Sequence, residues 1–154
     1  MLSPAIDRLT ALVGDGALIM VATRDNRNRP HVTRGWGARF DPAGGHLDLA
    51  LSVSDDLKVI DDIEANHAVA VTFACPTSYE AVQLTGVVEW IGDVSREDSD
   101  RIDTSIQLVD EALASIGMPA STGTRLAGDE FVTIRVAMQH CFEQTPGSSA
   151  GNPL

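Results

Sequence analysis

The stretch His46-Leu47-Asp48-Leu49-Ala50-Leu51-Ser52-Val53 alternates without a break, with Leu47, Leu49, Leu51 and Val53 on one face and His46, Asp48, Ala50 and Ser52 on the other. A repeat of two is the period of a pleated strand, so this segment predicts a half-buried strand with one face in a core. Five further segments read as strands. Residues 17–23 are apolar and partly β-branched and stop at the turn-like Asp25-Asn26-Arg27-Asn28-Arg29-Pro30. Residues 31–40 follow, with Gly35 and Gly37 marking a bend, a bulge or a close backbone approach. Residues 68–73, 81–91 and 130–138 complete the set.

Between the strands the period changes to that of a helix. Ser3-Pro4 opens an amphipathic segment bearing Ile6, Leu9, Leu12 and Val13 and closing at Gly14-Asp15-Gly16. Leu57, Ile60 and Ile63 share a face in residues 54–66, with Ser54 or Asp55 as N-cap and the aspartates turned outward. Ser95 begins a longer helix whose stripe is Ile102, Ile106, Val109, Leu113 and Ile116, with Glu97, Asp98, Asp100, Asp103 and Asp110 facing water. A polar loop after Gly117-Met118-Pro119 leads to the last strand. Strands joined by tight turns, with helices at three points, predict a mainly β (α+β) antiparallel barrel with flanking helices.

In a chain of 154 residues, 44% hydrophobic by type, this is one domain over residues 1–143, followed by an irregular tail over 144–154. No apolar run is long enough for a membrane helix and the N-terminus does not read as a signal peptide, so a cytoplasmic protein is expected. The net charge of −11 repels phosphodiester backbones and anionic bilayers, which argues against nucleic acid and membrane partners. The basic residues are unevenly placed: residues 1–40 hold six arginines against three acids, and Lys58 is the chain's single lysine. Cys75 and Cys141 lack CxxC spacing and read as reduced, buried thiols. His31, His46, His67 and His140 share no metal-ligand spacing, and no P-loop, GxSxG or dinucleotide-binding glycine pattern is present.

The element order, together with Asn28-Arg29-Pro30-His31-Val32 before the second strand and Ile63-Glu64-Ala65-Asn66-His67-Ala68-Val69-Ala70-Val71 before the fourth, resembles the pyridoxamine 5'-phosphate oxidase-like split-barrel family over residues 17 to 91. The resemblance implies a six-stranded antiparallel split β-barrel with flanking helices, homodimeric, with FMN at two equivalent sites in the subunit interface. Some relatives of that kind bind the deazaflavin F420 or haem instead, and others have no demonstrated reaction.

Carried onto this chain, the resemblance assigns the flavin phosphate to Arg34, Ser54 and Lys58, since cationic donors and helix N-terminal amides favour an anion. Gln83 corresponds to an amide that contacts the ring, and the backbone from Thr33 through Gly35 to Trp36 reads its pyrimidine edge, with Gly37 beside it. An ungapped reading puts Thr33 at the usual basic position and Lys58 one residue out, and Asp55-Asp56 stands where the family has a basic pair. The residues also carry plainer readings. Arg34 can pair with one of many downstream acids, Lys58 with Asp61 or Asp62 at i+3 or i+4, and Trp36 and Trp90 can pack in a core or a dimer interface.

The function implied is an FMN-binding oxidoreductase acting on an unidentified small molecule, in which the flavin supplies the redox chemistry and the protein supplies binding and orientation. The alternative is a non-catalytic split-barrel dimer that binds F420, haem or no cofactor. True pyridoxamine phosphate oxidation is not expected, because after Arg135 there is no Arg or Lys to grip that substrate.

Overall fold

A computed structural model describes residues 3–43, 45–53 and 58–154. Six strands, β1 (Leu18–Arg24), β2 (Pro30–Asp41), β3 (His46–Ser52), β4 (Ala68–Ala74), β5 (Ala81–Gly92) and β6 (Phe131–Glu143), pair antiparallel throughout. They close into one barrel in the order β1-β2-β3-β6-β5-β4. The expected six-stranded antiparallel barrel with flanking helices is therefore present.

Alternation decides what fills it. Ile19, Val21, Leu49, Val71, Leu84 and Ile134, one or two from every strand but β2, are almost fully buried in a single core, against which Ala38 and Phe40 of β2 pack. Helix α1 (Ser3–Gly14) adds Ile6, Leu9 and Leu12 to that core, and α2 (Lys58–Asn66) adds Val59 and Ile63. Helix α3 (Arg96–Ser115) lies outside the barrel over β2. There, with α4 (Thr122–Ala127), it encloses a second core of Trp36, Ala50, Ile102, Val109, Leu113 and Ala127.

Several expectations need correction. β3 is not half-buried: Asp48 and Ala50 on its outer face are buried too, because α3, α4 and two arginines cover them. The polar loop before the last strand contains α4, and that strand runs five residues further than expected, to Glu143. Ile116 lies past the end of α3 and is exposed. Asp98 and Asp110 do not simply face water. Asp98 forms a reciprocal capping box with Ser95, and Asp110 accepts from the Gly123 and Thr124 amides and the Thr124 hydroxyl, fastening α4 to α3. Asp62, read as outward, is buried. The capping candidates Ser54 and Asp55 and the apolar Leu57 lie outside the described residues.

Residues 144–154 form no helix or strand, yet they fold back: Leu154 N–H donates to Cys141 O and Gly151 N–H to Glu143 O. Both cysteines are free and buried, as expected. No helix among the described residues is long and apolar enough to cross a membrane.

Gly86 sits at a register shift where β5 crosses β6, and a Cβ there would stand 2.3 Å from Ala137 O. Gly86→Ala is expected to cost about 1–3 kcal/mol through overpacking, a fall of several degrees in Tm. Gly14→Ala, with nothing within 4 Å, serves as control and should lose nothing. Thermal unfolding followed by circular dichroism checks both.

Candidate functional site

The helices leave one side of the barrel open. On the outer face of β1, β4 and β5, Met20 and Val87 are exposed and Ala22, Ala70, Thr72, Gln83 and Thr85 are partly exposed. The registers Arg34↔Met20, Met20↔Thr72 and Thr72↔Gln83 run as one row across four strands. Strand spacing puts Arg34 and Gln83 about 14 Å apart along it. Gln83 Nε2 donates to Thr72 Oγ1 at 3.1 Å. Thr72 and Met20 were not singled out from sequence; only the pairing register brings them between Arg34 and Gln83.

Arg34 is half-buried on this face and has no carboxylate partner among the described residues. The other predicted residues of β2 are placed differently. Thr33 lies opposite the buried Val21, and its hydroxyl donates to Ser52 O at 2.6 Å. Gly35 also faces inward, where a Cβ would meet Leu49 Cδ1 at 2.7 Å. Trp36 is buried beneath α3 and α4, with its indole N–H donating to Ser52 Oγ at 2.8 Å, which in turn donates to Ala127 O. Its side chain is thus a core group, whereas Trp90 is half exposed. On the β3 side, Gly35 and Trp36 are ladder-paired with Leu51 and Ala50, and the ladder stops there, so Thr33 has no β3 ladder partner among the described residues.

Lys58 stands exposed at the start of α2 and lines a cleft of about 270 Å³ with Asp25, Arg29, His31, Asp61 and Asp62. Behind it is a polar cluster that the sequence reading missed. Asp62 Oδ2 accepts from Thr23 Oγ1 and from His31 Nδ1, each at 2.7 Å. A carboxylate can only accept, so His31 carries its proton on Nδ1. The signal available in sequence was the position of Asp62, three residues after Val59 and therefore on the apolar face of α2. Ser54 lies outside the described residues, as do Asp55 and Asp56.

Other arginines are committed to carboxylates. Arg39 and Arg135 both bind Asp48, the latter through Nε at 2.7 Å and Nη2 at 2.9 Å. These bonds, Arg135 first, hold the Asp48 carboxyl at about 2 against the opposing effect of burial. Arg8 binds Glu143 at 2.6 Å, and Glu143 is likewise held down at about 2. Among the described residues no group of His, Cys, Asp or Glu is arranged to hold a metal ion.

No protein-family model matches the sequence, and no curated protein is significantly similar to it. Solved structures are similar in fold. A pyridoxamine 5'-phosphate oxidase-related, FMN-binding protein of Nostoc punctiforme PCC 73102 is 16% identical, with 96% of this chain and 86% of that one covered at a TM-score of 0.53. A Clostridium acetobutylicum protein related to general stress protein 26, of the pyridoxinephosphate oxidase family, is 13% identical, with 93% and 89% covered at 0.55. The chain has the fold of the pyridoxamine 5'-phosphate oxidase-like proteins. An F420 reductase shares this split barrel at 19% identity, with 85% and 93% covered and a TM-score of 0.54.

Because the folded Asp48 is more acidic than an unfolded aspartate near 3.9, its contribution is complete above about pH 4 and is lost as pH falls toward 2. Asp48→Asn is expected to lower stability at pH 7 by about 1–2 kcal/mol, discounted for the half-exposed arginines. Urea unfolding at pH 7, 4 and 2.5 should show the gap to wild type closing below pH 4.

Proposed function

We propose that this chain is an FMN-binding flavoprotein that works as a homodimer, with the flavin held at the uncovered face of β1, β4 and β5. The observation that carries the reading is the row from Arg34 to Gln83 on that face. In a chain with 22 acids and 11 bases, the row and its neighbours Val32, Ala22, Ala70, Thr85 and Val87 include no carboxylate. A row without a carboxylate, with a guanidinium that has no carboxylate partner among the described residues at one end and an amide at the other, suits a planar ring bearing an anionic tail.

In this reading Arg34 holds the phosphate, joined by Lys58 from the start of α2 and by Ser54. Gln83 and the backbone at Thr33, where the β3 ladder has ended, supply hydrogen bonds to the ring edge. A flavin bound there supplies hydride and electron transfer, which makes the protein an oxidoreductase for an unidentified small molecule. The chain's own part is to fix the ring, neutralise the phosphate and exclude water from one ring face. The second copy completes the enclosure, because an open sheet face with exposed Val32 and Met20 gains by being covered. The buried free cysteines suit a reducing compartment, and a cytoplasmic location belongs to this reading.

The FMN-binding character of the Nostoc protein supports the cofactor, and the shared fold of an F420 reductase makes F420 the second reading. An absorbance spectrum of the purified protein, followed by FMN, F420 and haem titrations, separates them: flavin bands or saturable FMN binding support the proposal. Saturation by F420 or haem alone, or by none of the three, overturns it. Arg34→Ala is expected to weaken FMN about tenfold or more, the loss of one charge-assisted contact. Sedimentation at micromolar concentration should give a dimer, and a monomer there overturns the interface site.

A further inference from the structure

Helix α2 buries a carboxylate where an aliphatic side chain would pack. Val59 and Ile63 enter the barrel core, and Asp62 beside them is only 3% exposed. Removing a carboxylate from water is costly unless strong donors replace the solvent. Here they come from two different strands: the Thr23 hydroxyl on β1 and His31 Nδ1–H on β2, each 2.7 Å from the same Oδ2. From the last turn of α2, Asn66 Nδ2 donates to Arg24 O at 2.8 Å.

Apolar contacts are non-directional and let a short helix rotate or slide, whereas hydrogen bonds weaken steeply off axis. Asp62 therefore sets the rotation and height of α2 on the β1–β2 hairpin. Lys58 stands four residues earlier, one turn up the same face, and lines the cleft that His31 and Asp62 also line. A tilt of α2 that breaks the latch moves the ammonium with it.

We propose that Asp62 is a positioning residue for the anionic end of the ligand: the Thr23–Asp62–His31 latch fixes where the Lys58 ammonium stands, and through it the affinity for a phosphate group. This rests on Lys58 being a phosphate ligand, as proposed above. The test titrates wild type, Asp62→Asn, His31→Asn and His31→Leu with FMN and with riboflavin, which carries the same ring without phosphate, and measures amide hydrogen exchange on the unliganded proteins.

Asp62→Asn is expected to raise exchange across residues 58–66 about tenfold while leaving β4 and β5 protected, and to weaken FMN about tenfold with riboflavin changed less than about twofold. His31→Asn keeps a donor near the Nδ1 position and should stay within about threefold of wild type, while His31→Leu should follow Asp62→Asn. Unchanged exchange in α2 overturns the latch whatever the flavins do. A loosened α2 with unaltered FMN affinity, or equal losses for FMN and riboflavin, overturns the positioning role. Wild type that does not prefer FMN to riboflavin removes the phosphate reading itself, and the positioning role with it, before any variant is compared.

Discussion

A strand in a closed barrel offers each side chain two directions, and a shift of one residue exchanges the inward set for the outward one. β2 shows how much depends on this. Its pairing with β1 sets Thr33 opposite Val21 and Gly35 opposite Ile19, which sends both inward and leaves Arg34 outside next to Met20. Carried on unbroken, the same phase would put Phe40 outside. The register shift between Trp36 and Arg39, with Gly37 at φ +63°, reverses it. Phe40 then reaches the interior opposite Leu47 and tilts against Phe73, while Arg39 meets Asp48 outside. One bulge thus lets a single strand line the core at both ends and still present a cation to the open face.

The same closure distributes charge. Arg8, Arg29, Arg39, Arg101 and Arg135 each pair with a carboxylate; the Arg29 and Arg101 pairs are local, while the others tie α1 to the end of β6 and β3 to both its neighbours. Asp48 is the densest such point, one carboxylate between two guanidiniums on adjacent strands. Five other arginines have no carboxylate partner among the described residues; Arg24, Arg27, Arg96 and Arg125 are exposed to solvent, and Arg34 alone of the five is half-buried.

Much of the architecture was legible from period alone. The alternation of residues 46–53, the turn at Asp25–Pro30 and the change of period before Asn66 each mark an element that is present. What period missed was short or tertiary. Helix α4 has six residues and is held by Asp110 from another helix, so neither its length nor its own side chains announce it. The last four residues of β6 pair with β5 from Thr85 back to Val82 after a shift that skips Gln139, and this segment, with Gln139 and His140 exposed, lacks an apolar alternation.

The candidate site residues came from the resemblance, and their direction was obscure. Arg34, Lys58 and Gln83 were carried over from it, but whether Thr33 or Arg34 faces outward depends on the strand's register, and no local pattern settles that. Asp62 was harder still. Acids on a short helix are ordinarily solvated, so reading Asp61 and Asp62 alike as outward follows the rule that charges stay in water. The rule fails at Asp62 because Thr23 and His31, 39 and 31 residues away, arrive at one oxygen once the hairpin and helix are in place. A buried acid is stable only with donors already aimed at it, and donors from separate strands exist only after the barrel has closed. Such a residue therefore reports the assembled end of the barrel rather than its own helix, which is why it can govern the placement of a group one turn away.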